Sequence, residues 1–419
     1  MLNIITEVGK LAVDGGSPVR TIPLPPWPYF GEDEISAVTN VLRSAKVNYW
    51  TGSECKQFEQ EYAAFTQTPY AIALANGTVA LEAALHGLGI ERGDEVIVPS
   101  RTFIASASCI AIRGARPVVA DVDFNSQTLT KDTIEAVLSP RTKAILVVHL
   151  AGWPCDMDPI CDLARAHGIY IIEDCAQAHG ATYKGRPVGS MGDVGAFSFC
   201  QDKILTTGGE GGMLVTHNRE VWRRAWELKD HGKNFEKMSG ARSSNRFAWV
   251  HDSFGTNWRM TELQAAVGRA ALPKLTSWVD TRRGFAATFD ARFSYMPGLR
   301  LTVPTPEFGH SYYKYYVFVR PEQLESGWDR DRIIDAISAE GIPCYSGTCS
   351  EIYLERAFPD EWRPKSRLPN ARSLGESSLM FLVHPTLNRA DIEDVGDAVE
   401  KVMARAVKNS GANRRSKTA

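Results

Sequence analysis

From Tyr70 onward, short apolar runs rich in β-branched residues alternate with stretches of helical spacing. The runs are 71–75, 95–98, 117–121, 144–149, 169–173, 194–199 and 213–216. Between them, 79–88, 104–113, 132–138 and 160–167 carry helical patterns of apolar residues. Strand, helix, strand at this rhythm predicts an α/β fold with a mostly parallel sheet covered on both faces. Ligands in such sheets bind at the carboxyl ends of the strands.

The flanks read differently. Residues 1–30 are rich in Pro and Gly and end in Pro23-Leu-Pro-Pro-Trp-Pro28. Proline forbids ordinary helix there, so an N-terminal arm is expected. Ile35, Val38 and Leu42 then recur at helical spacing over 32–43. The segment 231–256 has no clean period and bears Gly, Ser and Asn, which predicts a long loop. A helix follows with Leu263, Ala266, Val267 and Ala270 on one face. The remainder mixes strands, such as 315–319, with helices. The expected organisation is an arm over 1–30, a large domain over 31–270, a small α+β domain over 271–405 and a flexible tail over 406–419.

Composition narrows the class. The chain has 419 residues, 44% hydrophobic and 23% charged, as in ordinary globular proteins long enough for two domains. A net charge of −2 argues against a dedicated nucleic-acid or membrane-surface binder. The basic Arg414-Arg-Ser-Lys417 is short and reads as a solvated terminus. The eight cysteines form no Cys-x-x-Cys pair and lack histidines at zinc spacing, so reduced thiols and no metal site are expected. The first ten residues lack a basic region and a small-residue cleavage site, and no apolar run reaches about 18 residues. A cytoplasmic protein without a signal peptide or a membrane span is the reading.

The chemistry centres on two strand ends. The run 194–199 leads into a polar turn carrying Lys203, then Gly208-Gly-Glu-Gly-Gly212. The run 169–173 ends in Asp174, with Gln177 and His179 just beyond. A lysine and an aspartate so placed form the layout that holds pyridoxal 5'-phosphate (PLP): the lysine makes the aldimine and the aspartate meets the pyridinium nitrogen. The amine must be neutral to attack or to abstract a proton, which burial or a neighbouring cation favours. Gly77-Thr78 opens a predicted helix, where backbone N–H groups and a hydroxyl can cradle a phosphate. Ser198 offers a second hydroxyl.

Asp174-x-x-Gln177, Ser198 five residues before Lys203 and the following Gly-Glu-Gly-Gly resemble the DegT/DnrJ/EryC1/StrS family of PLP-dependent sugar aminotransferases. Asn76-Gly77-Thr78, Pro99-Ser-Arg-Thr-Phe103, His149-Leu-Ala-Gly-Trp-Pro-Cys-Asp-Met-Asp158, Asn257-Trp-Arg-Met-Thr-Glu-Leu-Gln264, Leu368-Pro-Asn-Ala371 and His384-Pro385 extend the resemblance over roughly residues 10–405. It implies a fold type I transferase with a seven-stranded sheet. By the same likeness Phe103 stacks on the cofactor ring, Gln177 lies by its phenolic oxygen, and Asn257 reaches the phosphate of a neighbouring subunit, which implies a homodimer with shared sites. Arg259 is either an anion-holding group or part of a structural ion pair, and His179 either supports the site or is merely structural. The implied reaction takes an amino group from an amino-acid donor, L-glutamate, to a keto-sugar, nucleotide-activated.

Two departures accompany the likeness. Asn76 stands where serine is usual, and Gly208-Gly209 doubles a glycine, which suggests a modified turn beside the sugar. A sugar dehydratase of the same family is the nearest rival reading, but such relatives carry histidine in place of Lys203. A non-catalytic regulator on this fold is the other, and the presence of both Lys203 and Asp174 counts against it. Sugar choice is expected to depend on loops such as 231–256 and 344–353.

Overall fold

In the computed structural model, which describes residues 9–239 and 248–408, the alternating runs close into one seven-stranded sheet. Its strands are β1 (Tyr70–Leu74), β2 (Glu95–Pro99), β3 (Arg116–Ala120), β4 (Thr142–Val148), β5 (Tyr170–Asp174), β6 (Val194–Ser198) and β7 (Gly212–Thr216). Their order across the sheet is β1-β7-β6-β5-β4-β2-β3. The pairs β3/β2, β2/β4, β4/β5 and β5/β6 are parallel, while β7 runs antiparallel to both β1 and β6. β2, β6 and β7 are buried along their whole length, as strands covered on both faces must be.

Register brings the site together. Asp174 pairs with Val148 and Ala196, and Gly212 pairs with Leu74 and Ser198. The carboxyl ends of β1, β4, β5 and β6 therefore form one edge. α1 (Gly77–Leu88) starts there, capped by Asn76, whose Oδ1 accepts from Val79 N at 3.0 Å. α2 (Ala105–Ile112) and α3 (Met157–His167) follow β2 and β4 as crossovers.

A second layer is built on a three-stranded antiparallel sheet of β8 (Leu299–Arg300), β9 (Tyr315–Val319) and β10 (Ser378–Phe381). The helix α4 (Leu275–Phe293) joins the two. Its first half buries Leu275 and Val279 with the large sheet's core; its second half buries Ala286, Phe289 and Phe293 with the small sheet's core. The helix lies within the expected small domain, 271–405, yet packs against both cores.

The arm over 9–30 is mostly extended, but a 3-10 turn forms at Ala12–Asp14, and Leu11 sinks into the small sheet's core. Arg20 pairs with Asp391 and Asp394, at 2.9 and 2.7 Å. Within the expected loop, Phe235–Ser239 is a short helix. Residues 1–8, 240–247 and 409–419 lie outside the described residues, and with them most of the expected tail. No helix among the described residues is long and apolar enough to cross a membrane.

Candidate active site

A cavity of about 870 Å³ opens at the carboxyl edge of the large sheet, against the small sheet. Asp174, Gln177, Ser198 and Lys203 line it, together with Gly77, Thr78 and Phe103. Seven of the nine expected site residues therefore meet in one place. Asn257 and Arg259 do not line it.

Asp174 ends β5 and is buried. Its Oδ2 accepts from Ser106 Oγ at 2.8 Å and its Oδ1 from Ala176 N at 3.1 Å. Burial raises its proton affinity; the Ala176 N–H, the Ser106 hydroxyl and Lys203 pull the other way without cancelling it. A cation placed opposite, such as a protonated ring nitrogen, would restore the carboxylate. Sequence reasoning missed Ser106, which sits four residues after Thr102 and shares a hydrogen bond with it at 2.9 Å.

Lys203 sits in the turn after β6, its N–H donating to Cys200 O at 3.0 Å. Its Nζ lies 3.6 Å from Asp202 Oδ1 and 5.0 Å from the Tyr313 ring centroid. The Tyr313 hydroxyl bonds the Asp202 carboxylate. Burial alone would raise the Asp202 carboxyl, but Lys203, Tyr313 and Lys314 outweigh it and hold it below the usual range. A second amine, Lys314, lines the same cavity. Burial pushes it down to about 8, with Arg282 and Lys203 adding to the effect against Asp202. Tyr313 and Lys314 lie just before β9, and only their place beside a predicted strand hinted at them.

The phosphate cradle depends on a close approach. A Cβ on Gly77 would lie 2.6 Å from Ser198 Cβ, so only glycine lets the start of α1 meet the end of β6. Ser198 is fixed from behind by His179. The Nε2–H of His179 donates to Ser198 O and its Nδ1 accepts from Tyr62 O–H, both at 2.8 Å. Burial holds this imidazole down to about 4, neutral and outside the cavity wall. Both ring nitrogens of His179 are thus satisfied behind the wall that carries Ser198.

Gln177 Oε1 accepts from Ala151 N at 2.8 Å, which leaves its amide nitrogen as the end available to the cavity. Ala151 adopts a left-handed conformation, φ 56°, in the turn after β4. Phe103 is 64% exposed, with a ring face open to a flat ligand. These side chains fit PLP: a buried carboxylate for its nitrogen, a lysine for its aldehyde, a helix N-terminus with a hydroxyl for its phosphate, and an aromatic face for its ring.

The doubled glycines adopt φ 85° and 127° and close a turn against Cys200 and Gln201, with Gln201 N donating to Gly209 O at 2.9 Å. Neither glycine lines the cavity, but Glu210 beside them does. Of the two expected specificity loops, 344–353 contributes Tyr345, Gly347 and Thr348 to the wall, and no described residue of 231–256 does. Asn257 is exposed and bridges to Asp230. Arg259 Nη1 donates to Asp230 Oδ1 at 2.9 Å, the structural ion pair of the two readings left open for it. His149, Glu173 and Cys175 lie close enough together to suggest a metal, yet both Glu173 oxygens are already used. They accept from Gly189, Met191 and Gly192 N–H and from His149 Nε2.

The sequence model of the DegT/DnrJ/EryC1/StrS aminotransferase family matches residues 28–400. The dTDP-3-amino-3,4,6-trideoxy-alpha-D-glucose transaminase of Streptomyces venezuelae is 37% identical over 366 residues, 87% of this chain and 91% of that protein. An aminotransferase from Psychrobacter cryohalolentis superposes with a TM-score of 0.89 at 51% identity, covering 91% of this chain and 99% of that one. S. venezuelae DesV, solved in complex with a ketimine intermediate, superposes with a TM-score of 0.82 at 35% identity, covering 92% and 100%.

Proposed function

The chain belongs to the DegT/DnrJ/EryC1/StrS aminotransferase family, a PLP-dependent family, and from that premise we propose that it carries an amino group from L-glutamate to the keto carbon of a nucleotide-activated sugar, with Lys203 as the lysine that holds PLP. The observation that carries this reading is the Lys203 amine and the Asp174 carboxylate on the walls of one cavity, with the Gly77–Ser198 cradle beside them.

When bound, PLP supplies the electron sink that makes the donor's α-proton removable. The rest falls to this chain. Lys203 would hold the PLP aldehyde, and its amine is placed to move the proton of the donor's α-carbon as a positioned general base and acid. Asp174 would face the ring nitrogen and keep its proton there, and Ser106 and the Ala176 N–H hold its two oxygens in place. The N–H groups at the start of α1 and the Thr78 and Ser198 hydroxyls hold the phosphate. Phe103 would cover one face of the ring, and Gln177 would offer its amide to the phenolic oxygen. Lys314, over the Tyr313 ring, lines the same cavity and would face the substrate.

Asn257 lies away from its own chain's cavity and is exposed. This favours a homodimer in which it completes the partner's phosphate site. The dTDP-sugar named for the S. venezuelae transaminase supports a nucleotide-activated acceptor. The deciding experiment reduces the PLP-loaded protein with borohydride and maps the labelled peptide. It then converts the enzyme with glutamate and screens keto-sugar nucleotides for the mass gain of amination. A label on a lysine other than Lys203, or no amination of any keto-sugar nucleotide, would overturn the reading.

A further inference from the structure

Lys203 is braced from a part of the chain that no functional reading has used. The Nε1–H of Trp27, in the N-terminal arm, donates to the Lys203 carbonyl at 2.9 Å across 176 residues of sequence. Trp27 is itself held on three sides. Trp278 meets it edge-on with ring centroids 5.3 Å apart, His384 stacks on it at 6.1 Å, and the Arg282 guanidinium carbon lies 5.3 Å from its ring.

Arg282 is 1% exposed and has no carboxylate partner among the described residues. Its Nη1 donates to the Tyr312 and Tyr313 carbonyls at 3.3 and 3.2 Å; its Nε and Nη2 have no hydrogen-bond partner among the described residues. A buried, unpaired cation is costly, and an apolar side chain of similar volume would be the more stable choice. Arg282 also lines the adjoining cavity of about 520 Å³, together with Trp27, Tyr313 and Lys314. What it does touch is the Trp27 ring and the Tyr313 backbone. Trp27 fixes the Lys203 carbonyl, and the Tyr313 ring lies under the Lys203 amine while its hydroxyl holds Asp202. Both braces on the lysine turn therefore start from one guanidinium, with the aromatic face of Trp27 compensating part of its charge.

We propose that Trp27 is a positioning residue for Lys203, and that Arg282 locks Trp27 and Tyr313 around the lysine turn. The proposal rests on Lys203 as the PLP-bearing residue. Its reach is the orientation of the lysine amine as it leaves and re-enters bonding with the cofactor, a step in which small misplacements are expensive.

The test uses full-length holoenzyme. Trp27→Phe keeps a ring and deletes the N–H donor. Trp278→Phe is the control, since it disturbs arm packing beside Trp27 but keeps the indole N–H that bonds the Lys203 carbonyl. Trp27→Phe should keep its PLP but shift the pH midpoint of the visible band of the lysine-linked cofactor, and slow the glutamate half-reaction roughly ten- to hundredfold. Either change, absent from Trp278→Phe, upholds the proposal. Wild-type behaviour of Trp27→Phe in both measurements, or equal changes in Trp278→Phe, overturns it. Should Trp27→Phe fail to fold, deuterium exchange of wild-type residues 20–30 with and without PLP decides. Faster exchange on cofactor removal upholds the link, and unchanged exchange overturns it. Borohydride labelling of a different lysine in the wild type is scored first, because it would instead fail the assignment of Lys203.

Discussion

Ser106 donates from the first turn of α2 to Asp174 at the end of β5, 68 residues away, and this 2.8 Å bond fixes the oxygen Oδ2 of a carboxyl whose proton affinity burial raises. Thr102 in turn shares a hydrogen bond with Ser106. The acid proposed to meet the cofactor nitrogen is thus held by a polar relay from a neighbouring crossover.

Removing the relay should disturb the reaction without emptying the site. Ser106→Ala is expected to retain PLP and to slow the glutamate half-reaction by about tenfold, the lower end of what supporting hydrogen bonds contribute at such centres. Asp174→Asn should also retain PLP but slow the same step by about a hundredfold or more, since it removes the group that holds the ring proton. Stopped-flow single turnovers give both numbers. A Ser106→Ala rate equal to wild type would show that Ala176 N–H alone orients Asp174.

Gly77→Ala tests the cradle. The added methyl would come within 2.6 Å of Ser198 Cβ, and both positions are pinned, one by the helix cap and one by His179. Overpacking of this kind costs about 1–3 kcal/mol. It should appear as a PLP affinity weakened roughly ten- to hundredfold in a cofactor titration, with secondary structure unchanged by circular dichroism.

His179 gives a pH prediction. Its imidazole is held down to about 4 in the fold, against about 6.5 when unfolded. The unfolded chain therefore binds more protons between these values, and stability must fall as pH drops through that window. The neutral ring's contribution is complete above about pH 6.5, and about 2 kcal/mol of it should be gone by about pH 5. Urea unfolding of cofactor-free protein at about pH 7.5 and pH 5 measures the drop. His179→Gln should be less stable at the higher pH and lose less on acidification. Equal losses in the two proteins would mean that the folded ring is already charged.

The large sheet was legible because parallel strands buried on both faces read as apolar runs, as β2 does from Val96 to Pro99. That Lys203, Asp174 and Gly77 would meet in one cavity was legible because strand ends and helix starts are where turn chemistry shows in sequence. The antiparallel insertion of β7 between β1 and β6 was not, because a buried strand carries the same pattern in either direction. Ser106 and Trp27 reach the site by pairings 68 and 176 residues apart, which no local period encodes. Arg259 could not be assigned from sequence because its partner, Asp230, is chosen by the packing of a loop.

That ion pair decides how the shared site should be tested. Removing Arg259 would leave Asp230 buried with one cation fewer, a structural injury unrelated to the cofactor. Asn257 is exposed and free of such a burden, so Asn257→Ala alone is the cleaner lesion. It should weaken PLP binding and activity in the homodimer. Lys203→Ala should abolish activity while keeping the fold. If each site takes Lys203 from one chain and Asn257 from the other, a mixed dimer of the two variants holds one site with both lesions and one with neither. Co-expression with two different tags and tandem purification isolates that dimer, and it should recover about half of the wild-type rate per dimer, as expected for an isologous pair with independent sites. If Lys203 and Asn257 served the same chain's site, every site in the mixed dimer would be damaged. A verified mixed dimer with no more activity than Asn257→Ala alone would exclude the exchange of Asn257 between subunits.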